Sequence, residues 1–159
     1  MSLSNLLKPE AVRVFTAATS KKRLMQEISE VAFSAHGIVA DHVLAALMER
    51  EALGPTGVGQ GIALPHARMS GLDEVLGIFV MLDKPVDFDA IDRQPVDIAF
   101  ALLAPEDAGV EHLKALALVS RTLRDQAVCS KLRSNPDPTT LFAILSEAHS
   151  VQALSLIHI

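Results

Sequence analysis

The sequence contains two long apolar runs, Val75-Leu-Gly-Ile-Phe-Val-Met-Leu82 and Val96-Asp-Ile-Ala-Phe-Ala-Leu-Leu103. Runs of about eight residues with almost no polar member are typical of strands that are covered on both faces of a sheet. The segment between them, 83–95, is rich in Asp and Pro, which disfavours regular structure over its whole length. The two runs therefore predict the central strands of an α/β domain.

Amphipathic segments lie on either side of these strands. Residues 12–16 alternate apolar and polar side chains and predict a short strand. A helix is expected from the N-cap Ser20 to Gly37, followed by a second helix capped by Asp41. The last third predicts three more helices, over 109–122, 124–133 and 139–148. This order predicts one α/β domain, a three-layer sandwich with a mixed central β-sheet flanked by helices.

Composition and charge exclude several classes of protein. The chain has 159 residues, of which 50% are hydrophobic, so one sizeable core is available. The formal net charge is −5 and the 14 Lys and Arg residues form no run, which argues against nucleic-acid binding. No apolar run reaches the ~20 residues of a membrane span. The one cysteine, Cys129, excludes an internal disulfide. A cytoplasmic protein without membrane insertion is expected.

A glycine-rich segment, Gly54-Pro-Thr-Gly-Val-Gly-Gln-Gly61, holds four of the eight glycines in the chain. It is predicted to be a loop, whose unshielded backbone N–H groups can converge on an anion. It has no Lys-Ser or Lys-Thr of a P-loop, and its GxGxG spacing differs from the dinucleotide-binding pattern. Neither ATP nor NAD is supported, and no cofactor is predicted.

The segment leads through a short apolar piece to Pro65 and His66. The proline restricts the local backbone, and a neutral imidazole is a competent nucleophile near neutral pH. His66 is therefore a candidate phosphoryl acceptor, with its neighbouring N–H groups available to phosphoryl oxygens. A structural histidine after a strand would fit the same pattern, and the residues alone leave both interpretations open.

The stretch Arg50-Glu-Ala-Leu-Gly-Pro-Thr-Gly-Val-Gly-Gln-Gly-Ile-Ala-Leu-Pro-His66 resembles the signature of enzyme IIA domains of the fructose/mannitol class, from the bacterial phosphoenolpyruvate-dependent phosphotransferase system. The similarity is greatest to the nitrogen-regulatory branch. It continues through 88–97, 100–105 and His112-Leu113, and so covers residues 5–148. Residues 149–159 are interpreted as a C-terminal tail, for which a cloning origin is one reading.

The resemblance implies a set of roles. His66 would accept a phosphoryl group, on Nε2, from a histidine-phosphorylated carrier similar to NPr or HPr. His112 would lie beside it, and the Arg50 guanidinium would pair with phosphate oxygens. Thr56 would donate a hydrogen bond to the same group. The remaining phosphoryl-binding candidates are the loop glycines Gly57, Gly59 and Gly61. No metal is required by this site.

Two functions of different classes remain open. The first is a regulatory protein whose phosphorylation state changes its binding to target proteins, through the added charge. The second is a separate IIA subunit of a fructose/mannitol-type uptake system, which passes the phosphoryl group to a IIB domain. A metal-dependent hydrolase that uses His66, His112 and an Asp is a third reading. Separately, the spacing of Asp87, Asp89, Asp92 and Asp97 departs from an EF-hand loop, and turn capping and solvation account for these residues more simply. His36 and His42 match no motif and are predicted to be surface residues.

Overall fold

The computed structural model describes the backbone of residues 2–157 and the side-chain surroundings of residues 2–148. The described helices are α1 (Leu3–Leu6), α2 (Lys21–His36), α3 (Ala40–Glu51), α4 (Val110–Arg124), α5 (Gln126–Ser134) and α6 (Pro138–Ile157), with a 3₁₀ turn at Pro9–Ala11. The described strands are β1 (Val12–Phe15), β2 (Gly57–Gly59), β3 (Ile62–Ala63), β4 (His66–Met69), β5 (Leu76–Val86) and β6 (Val96–Pro105).

Six described strands form one mixed sheet. Five of them follow the order β1-β5-β6-β3-β2, and β4 also pairs with β6, nearer to the C-terminal end of β6 than β3 does. The pairs β1–β5, β3–β6 and β4–β6 are parallel, whereas β5–β6 and the β2–β3 hairpin are antiparallel. Helices α2, α3, α4 and α6 contact the strands. The predicted single domain with a mixed sheet flanked by helices is confirmed.

The two central strands are as buried as their composition predicts. Phe79 on β5 and Phe100 on β6 are at most 1% exposed. Their rings are paired edge to face, with centroids 6.1 Å apart. Gly77 is needed beside them, since a Cβ there would lie 2.9 Å from the Phe100 ring. β5 is longer than predicted and runs on to Val86 in the Asp- and Pro-rich segment.

The ends of α2 follow their predicted signals. The Ser20 hydroxyl accepts a hydrogen bond from the Arg23 N–H, and Gly37 takes the left-handed conformation with φ 73°. The prediction that Asp41 caps α3 is wrong. The helix begins at Ala40, so Asp41 lies inside its first turn, where a carboxylate is favoured by the helix dipole instead.

The glycine-rich segment was predicted as a loop, and this is wrong for its second half. Residues Gly57–Gly59 and Ile62–Ala63 form a tight hairpin, and Gln60 and Gly61 at its tip have φ values of 58° and 81°. At Gly61 the absence of a side chain allows this positive φ at no steric cost. After a short break, His66 is the first residue of β4 and does not merely follow a strand.

Packing corrects one further prediction, that of His36. Near the N-terminus, Leu3 is 1% exposed and belongs to the core. His36, predicted to be a surface residue, is half-buried, and its Nε2 lies 3.1 Å from the Gly77 carbonyl oxygen. The backbone of α6 continues to Ile157, into the segment predicted as a C-terminal tail, and residues 158–159 of that segment lie outside the described residues. None of the described helices is long and apolar enough to span a membrane.

A histidine pair in an open cleft

His66 lies at the start of β4, opposite Leu102 of the central strand β6. It lines an open cleft of about 460 Å³ between β4, the C-terminal end of α3 and the N-terminal end of α4. The ring is half-buried, so it is held by its surroundings and still reachable from solvent. The other residues lining the cleft are Ala46, Glu49, Arg50, Leu53, Ala67, Arg68, Glu106 and His112.

The backbone selects the tautomer of His66. Nδ1 lies 2.8 Å from the carbonyl oxygen of Leu64, two residues earlier. A carbonyl oxygen can only accept, so Nδ1 carries the proton and donates it. In the neutral ring the lone pair is then on Nε2. Nε2 is the nitrogen available for nucleophilic attack.

The protonation state of His66 is set mainly by burial. Partial burial lowers the pKa of its imidazole, and the positive charge of Arg50 lowers it further. The Leu64 hydrogen bond and the carboxylate of Glu51 act in the opposite direction but do not prevail. A lowered pKa keeps the ring neutral, and therefore nucleophilic, at neutral pH.

His112 lies beside His66, as the resemblance implied. Their ring centroids are 5.5 Å apart with an interplanar angle of 68°. His112 is 5% exposed, and burial, followed by the charges of His66 and Arg68, lowers its pKa. Its Nδ1 is buried and has no hydrogen-bond partner among the described residues. Two imidazoles can lie this close when both are neutral, because there is then no charge repulsion between them.

Two arginines, Arg50 and Arg68, line the cleft together with two glutamates, Glu49 and Glu106. Arg50, in the last turn of α3, donates from Nη1 to the Gly54 carbonyl oxygen at 3.0 Å. Arg68 is two residues after His66 on β4, and alternation along a strand places both on the same face. Sequence analysis missed Arg68, because β4 was not predicted as a strand. The i, i+2 spacing is the signal that a strand prediction would have used.

Residues 5–148 match the family model described as "Phosphoenolpyruvate-dependent sugar phosphotransferase system, EIIA 2". The chain belongs to this enzyme IIA family. The resemblance drawn from the glycine-rich signature is confirmed.

Relatives of this enzyme IIA domain include proteins named "Nitrogen regulatory protein". The one from Bradyrhizobium diazoefficiens is 42% identical over 92% of this chain and 95% of its own length. The one from Escherichia coli K12 is 39% identical over 92% and 91%. The crystal structure of nitrogen regulatory protein IIA-Ntr from Neisseria meningitidis has a TM-score of 0.84 at 33% identity, covering 90% of this chain and 98% of that one.

A sugar-specific relative matches a smaller part of the domain. The fructose-specific EIIA component of Haloferax volcanii is 36% identical over 67% of this chain and 70% of its own length. The 2-O-alpha-mannosyl-D-glycerate-specific EIIABC component of E. coli K12 covers 96% of this chain at 25% identity, whereas the two nitrogen regulatory proteins cover 92% at 42% and 39%.

The structure does not place Thr56 in the His66 cleft of this enzyme IIA domain. Thr56 is 4% exposed, and its N–H and hydroxyl both donate to the carboxylate of Glu51, at 2.9 and 2.5 Å. No polar hydrogen of Thr56 is left for a phosphoryl group. Its predicted role as a phosphoryl ligand has no support in this geometry.

The three glycines also lie outside the residues that line the cleft, and packing accounts for two of them. A Cβ on Gly57 would lie 2.8 Å from the Cβ of Ala90, and one on Gly61 would lie 2.7 Å from the Arg133 guanidinium. Gly59 has a positive φ of 102° in the hairpin. Phosphoryl binding by these backbone groups stays a prediction. Among the described residues, no group of His, Cys, Asp and Glu side chains is arranged to hold a metal ion.

Proposed function

We propose that this protein accepts a phosphoryl group on Nε2 of His66 from a histidine-phosphorylated carrier protein similar to NPr or HPr. The observation that supports this most directly is the 2.8 Å contact of Nδ1 with the Leu64 carbonyl, because it leaves Nε2 unprotonated at the cleft. The two arginines of the cleft supply positive charge for the oxygens in transfer.

The transfer balances without a cofactor or metal. The lone pair of Nε2 forms the new N–P bond while the N–P bond of the donor phosphohistidine breaks, and its electron pair returns to the donor ring. The proton stays on Nδ1 of His66 throughout and is donated in a hydrogen bond to the Leu64 carbonyl. In this proposal Arg50 and Arg68 neutralise the equatorial oxygens, and neutral His112 restricts the attacking ring.

We further propose that the phosphorylated and free forms differ in their binding to regulatory target proteins, in the nitrogen-regulatory branch. The high coverage by proteins of that name supports this choice. A phosphoryl group adds a charge of about −1.5 to −2, which makes a cleft lined by two arginines and two glutamates strongly negative. A cytoplasmic location goes with this proposal, as sparing cysteine use suits a reducing compartment.

The second candidate is a sugar-uptake IIA subunit that phosphorylates a IIB domain. It is favoured by the fructose-specific relative, and the fold also resembles the E. coli complex of enzyme IIA-mannitol with phosphorylated enzyme IIB-mannitol, with a TM-score of 0.71. The two candidates are separated by incubating the phosphorylated protein with a fructose-type IIB domain. Rapid stoichiometric transfer would contradict a purely regulatory role.

The acceptor is tested with phosphoenolpyruvate, enzyme I-Ntr and its carrier. We expect the parent protein to take up one phosphoryl group, and His66→Ala to take up none, because His66 is the ring in the cleft whose Nδ1 is held by a backbone carbonyl and whose Nε2 is therefore free to attack. Intact-mass spectrometry measures the uptake. His42→Ala, at an exposed histidine on α3, is the matched control and should be labelled like the parent. Labelling of His66→Ala to the same extent would refute the assignment.

A further inference from the structure

Glu51, the last residue of α3, is a buried carboxylate with a polar partner on each of its oxygens. Its side chain is 4% exposed, and Lys21 at the start of α2 supplies the counter-charge at 2.7 Å. One oxygen also accepts from the Thr56 N–H and the other from the Thr56 hydroxyl. A buried carboxylate is costly unless it is paired and hydrogen-bonded, and Glu51 has partners of both kinds.

A chain of hydrogen bonds connects Glu51 to His66. Thr56, held by Glu51 through two donors, accepts at its carbonyl oxygen from the Leu64 N–H at 2.9 Å. The carbonyl of Leu64 in turn accepts from Nδ1 of His66 at 2.8 Å. Every link is a contact within ordinary hydrogen-bond distance. The position of the Leu64 carbonyl therefore depends on where Glu51 holds Thr56.

The same carboxylate closes the segment that Arg50 contacts. Glu51 and Thr56 clamp residues 52–55 between them, and inside this segment the Gly54 carbonyl accepts from the Arg50 guanidinium at 3.0 Å. Glu51 thus sets the geometry on both sides of the cleft. The Glu51 side chain is only 4% exposed, and Glu51 is not among the residues that line the cleft.

We propose that Glu51, through Thr56 and with Lys21 as its counter-ion, is a positioning residue for phosphoryl transfer. It holds the Leu64 carbonyl where that carbonyl keeps the proton on Nδ1 and leaves Nε2 of His66 as the acceptor. This inference rests on the proposed function for its catalytic part. The positioning of the ring is a separate property of the unphosphorylated protein and is measured without any donor.

The test compares Thr56→Val with Thr56→Ser. Valine has nearly the shape of threonine but removes the hydroxyl that Glu51 holds, whereas serine keeps it. We expect Thr56→Val to convert the single His66 tautomer, read from its ring ¹⁵N resonances, into a mixture of both. We expect its phosphorylation rate to fall about tenfold, the factor that one net hydrogen bond represents. Thr56→Ser should retain the parent tautomer and rate.

Glu51→Gln and Lys21→Met extend the test to the buried ion pair. Both should shift the tautomer equilibrium in the same direction as Thr56→Val, and Lys22→Met, at the exposed neighbouring lysine, should shift nothing. Folding of each variant is checked by circular dichroism and urea unfolding. If Thr56→Val fails to fold, Glu51→Gln still tests the proposal, because it removes the charge of the carboxylate and keeps the shape of the side chain.

The outcomes are distinct. Folded Thr56→Val and Glu51→Gln proteins with the parent tautomer and rate would overturn the positioning role. Slower labelling with an unchanged tautomer would also overturn it, because the loss would then come from stability alone. A shifted tautomer in a protein whose parent is never phosphorylated would refute the proposed function, while the hydrogen-bond chain to the ring would stand.

Discussion

At the residue scale, the chemistry of the cleft depends on groups that set the state of a histidine rather than on the histidine alone. The Leu64 carbonyl decides which nitrogen of His66 holds the lone pair, and burial keeps the ring neutral. Arg50 acts on His66 and Arg68 acts on His112, so each imidazole has its own cation. This division of charge can be measured one residue at a time.

Removing either arginine should raise the pKa of one histidine more than that of the other. In Arg50→Gln the pKa of His66 should rise, because a positive charge that disfavours the imidazolium is lost. In Arg68→Gln the pKa of His112 should rise for the same reason. NMR titration of the two rings measures both shifts, and each variant serves as the control for the other.

Both arginine variants should also be phosphorylated about tenfold more slowly, because charge-assisted bonds to phosphoryl oxygens are lost. Identical titration curves in parent and Arg68→Gln would show that Arg68 does not face the histidine pair. An unchanged labelling rate would remove that arginine from the transfer step.

At the element scale, the β2–β3 hairpin is the part whose sequence was most open to misinterpretation. Its glycines suggested a phosphate loop, but they let the hairpin pack closely against neighbouring segments. The tip is clamped by Arg133 of α5, which binds Asp97 through two nitrogens and also donates to the Gln60 carbonyl. The hairpin is thus a structural support for Leu64, not a flexible loop.

Gly57→Ala tests this packing role. Its new Cβ would lie 2.8 Å from the Cβ of Ala90 and 2.9 Å from the Ala90 Cα, which is part of the backbone and cannot rotate away. We expect the free energy of unfolding to fall by about 1–3 kcal/mol, as for other overpacked sites. Urea denaturation measures it.

Gly54→Ala is the matched control, since a Cβ there would meet nothing within 4 Å. Its stability should stay within about 0.5 kcal/mol of the parent or rise slightly, because alanine reduces the freedom of the unfolded chain. Equal losses in the two variants would show that close approach to Ala90 is not the reason for glycine at 57.

At the scale of the whole molecule, three histidines are held at least partly inside the fold. Burial is the largest cause lowering the pKa of each of His36, His66 and His112. His36 donates from Nε2 to the Gly77 carbonyl, and its Nδ1 is buried without a partner among the described residues. The fold therefore favours neutral imidazole at three separate positions.

This arrangement predicts a loss of stability in mild acid. As pH falls below the ordinary histidine pKa of about 6.5, the histidines of the unfolded chain bind protons, whereas these three histidines in the folded chain do not yet bind them. Stability is therefore present above that value and is lost as pH falls towards the lowered values of the folded state. Urea unfolding at pH 7.5 and pH 5.5 should show a lower midpoint at the lower pH.

Comparison of two variants identifies the groups responsible. His36→Gln should weaken this pH dependence, because the amide keeps a donor for Gly77 but does not titrate. His42→Gln, at the exposed position on α3, should leave it unchanged. A midpoint that is equal at both pH values in the parent would contradict the lowered pKa values.

The sequence by itself determined the features that local patterns encode. The apolar runs identified β5 and β6, Ser20 and Gly37 marked the ends of α2, and the long signature ending at His66 identified the family. These signals are local, because strand burial, helix capping and a contiguous motif each depend on neighbouring residues in the chain.

Only the tertiary structure decided which groups share the cleft. Arg68 lies in the cleft because β4 pairs with β6. Thr56 has no donor available to the cleft, because its N–H and its hydroxyl both donate to Glu51. The contact of His66 with His112, which the family resemblance implied, is made by residues 46 positions apart, on a strand and a helix. Such contacts depend on sheet register and helix packing, which no local periodicity of the sequence specifies.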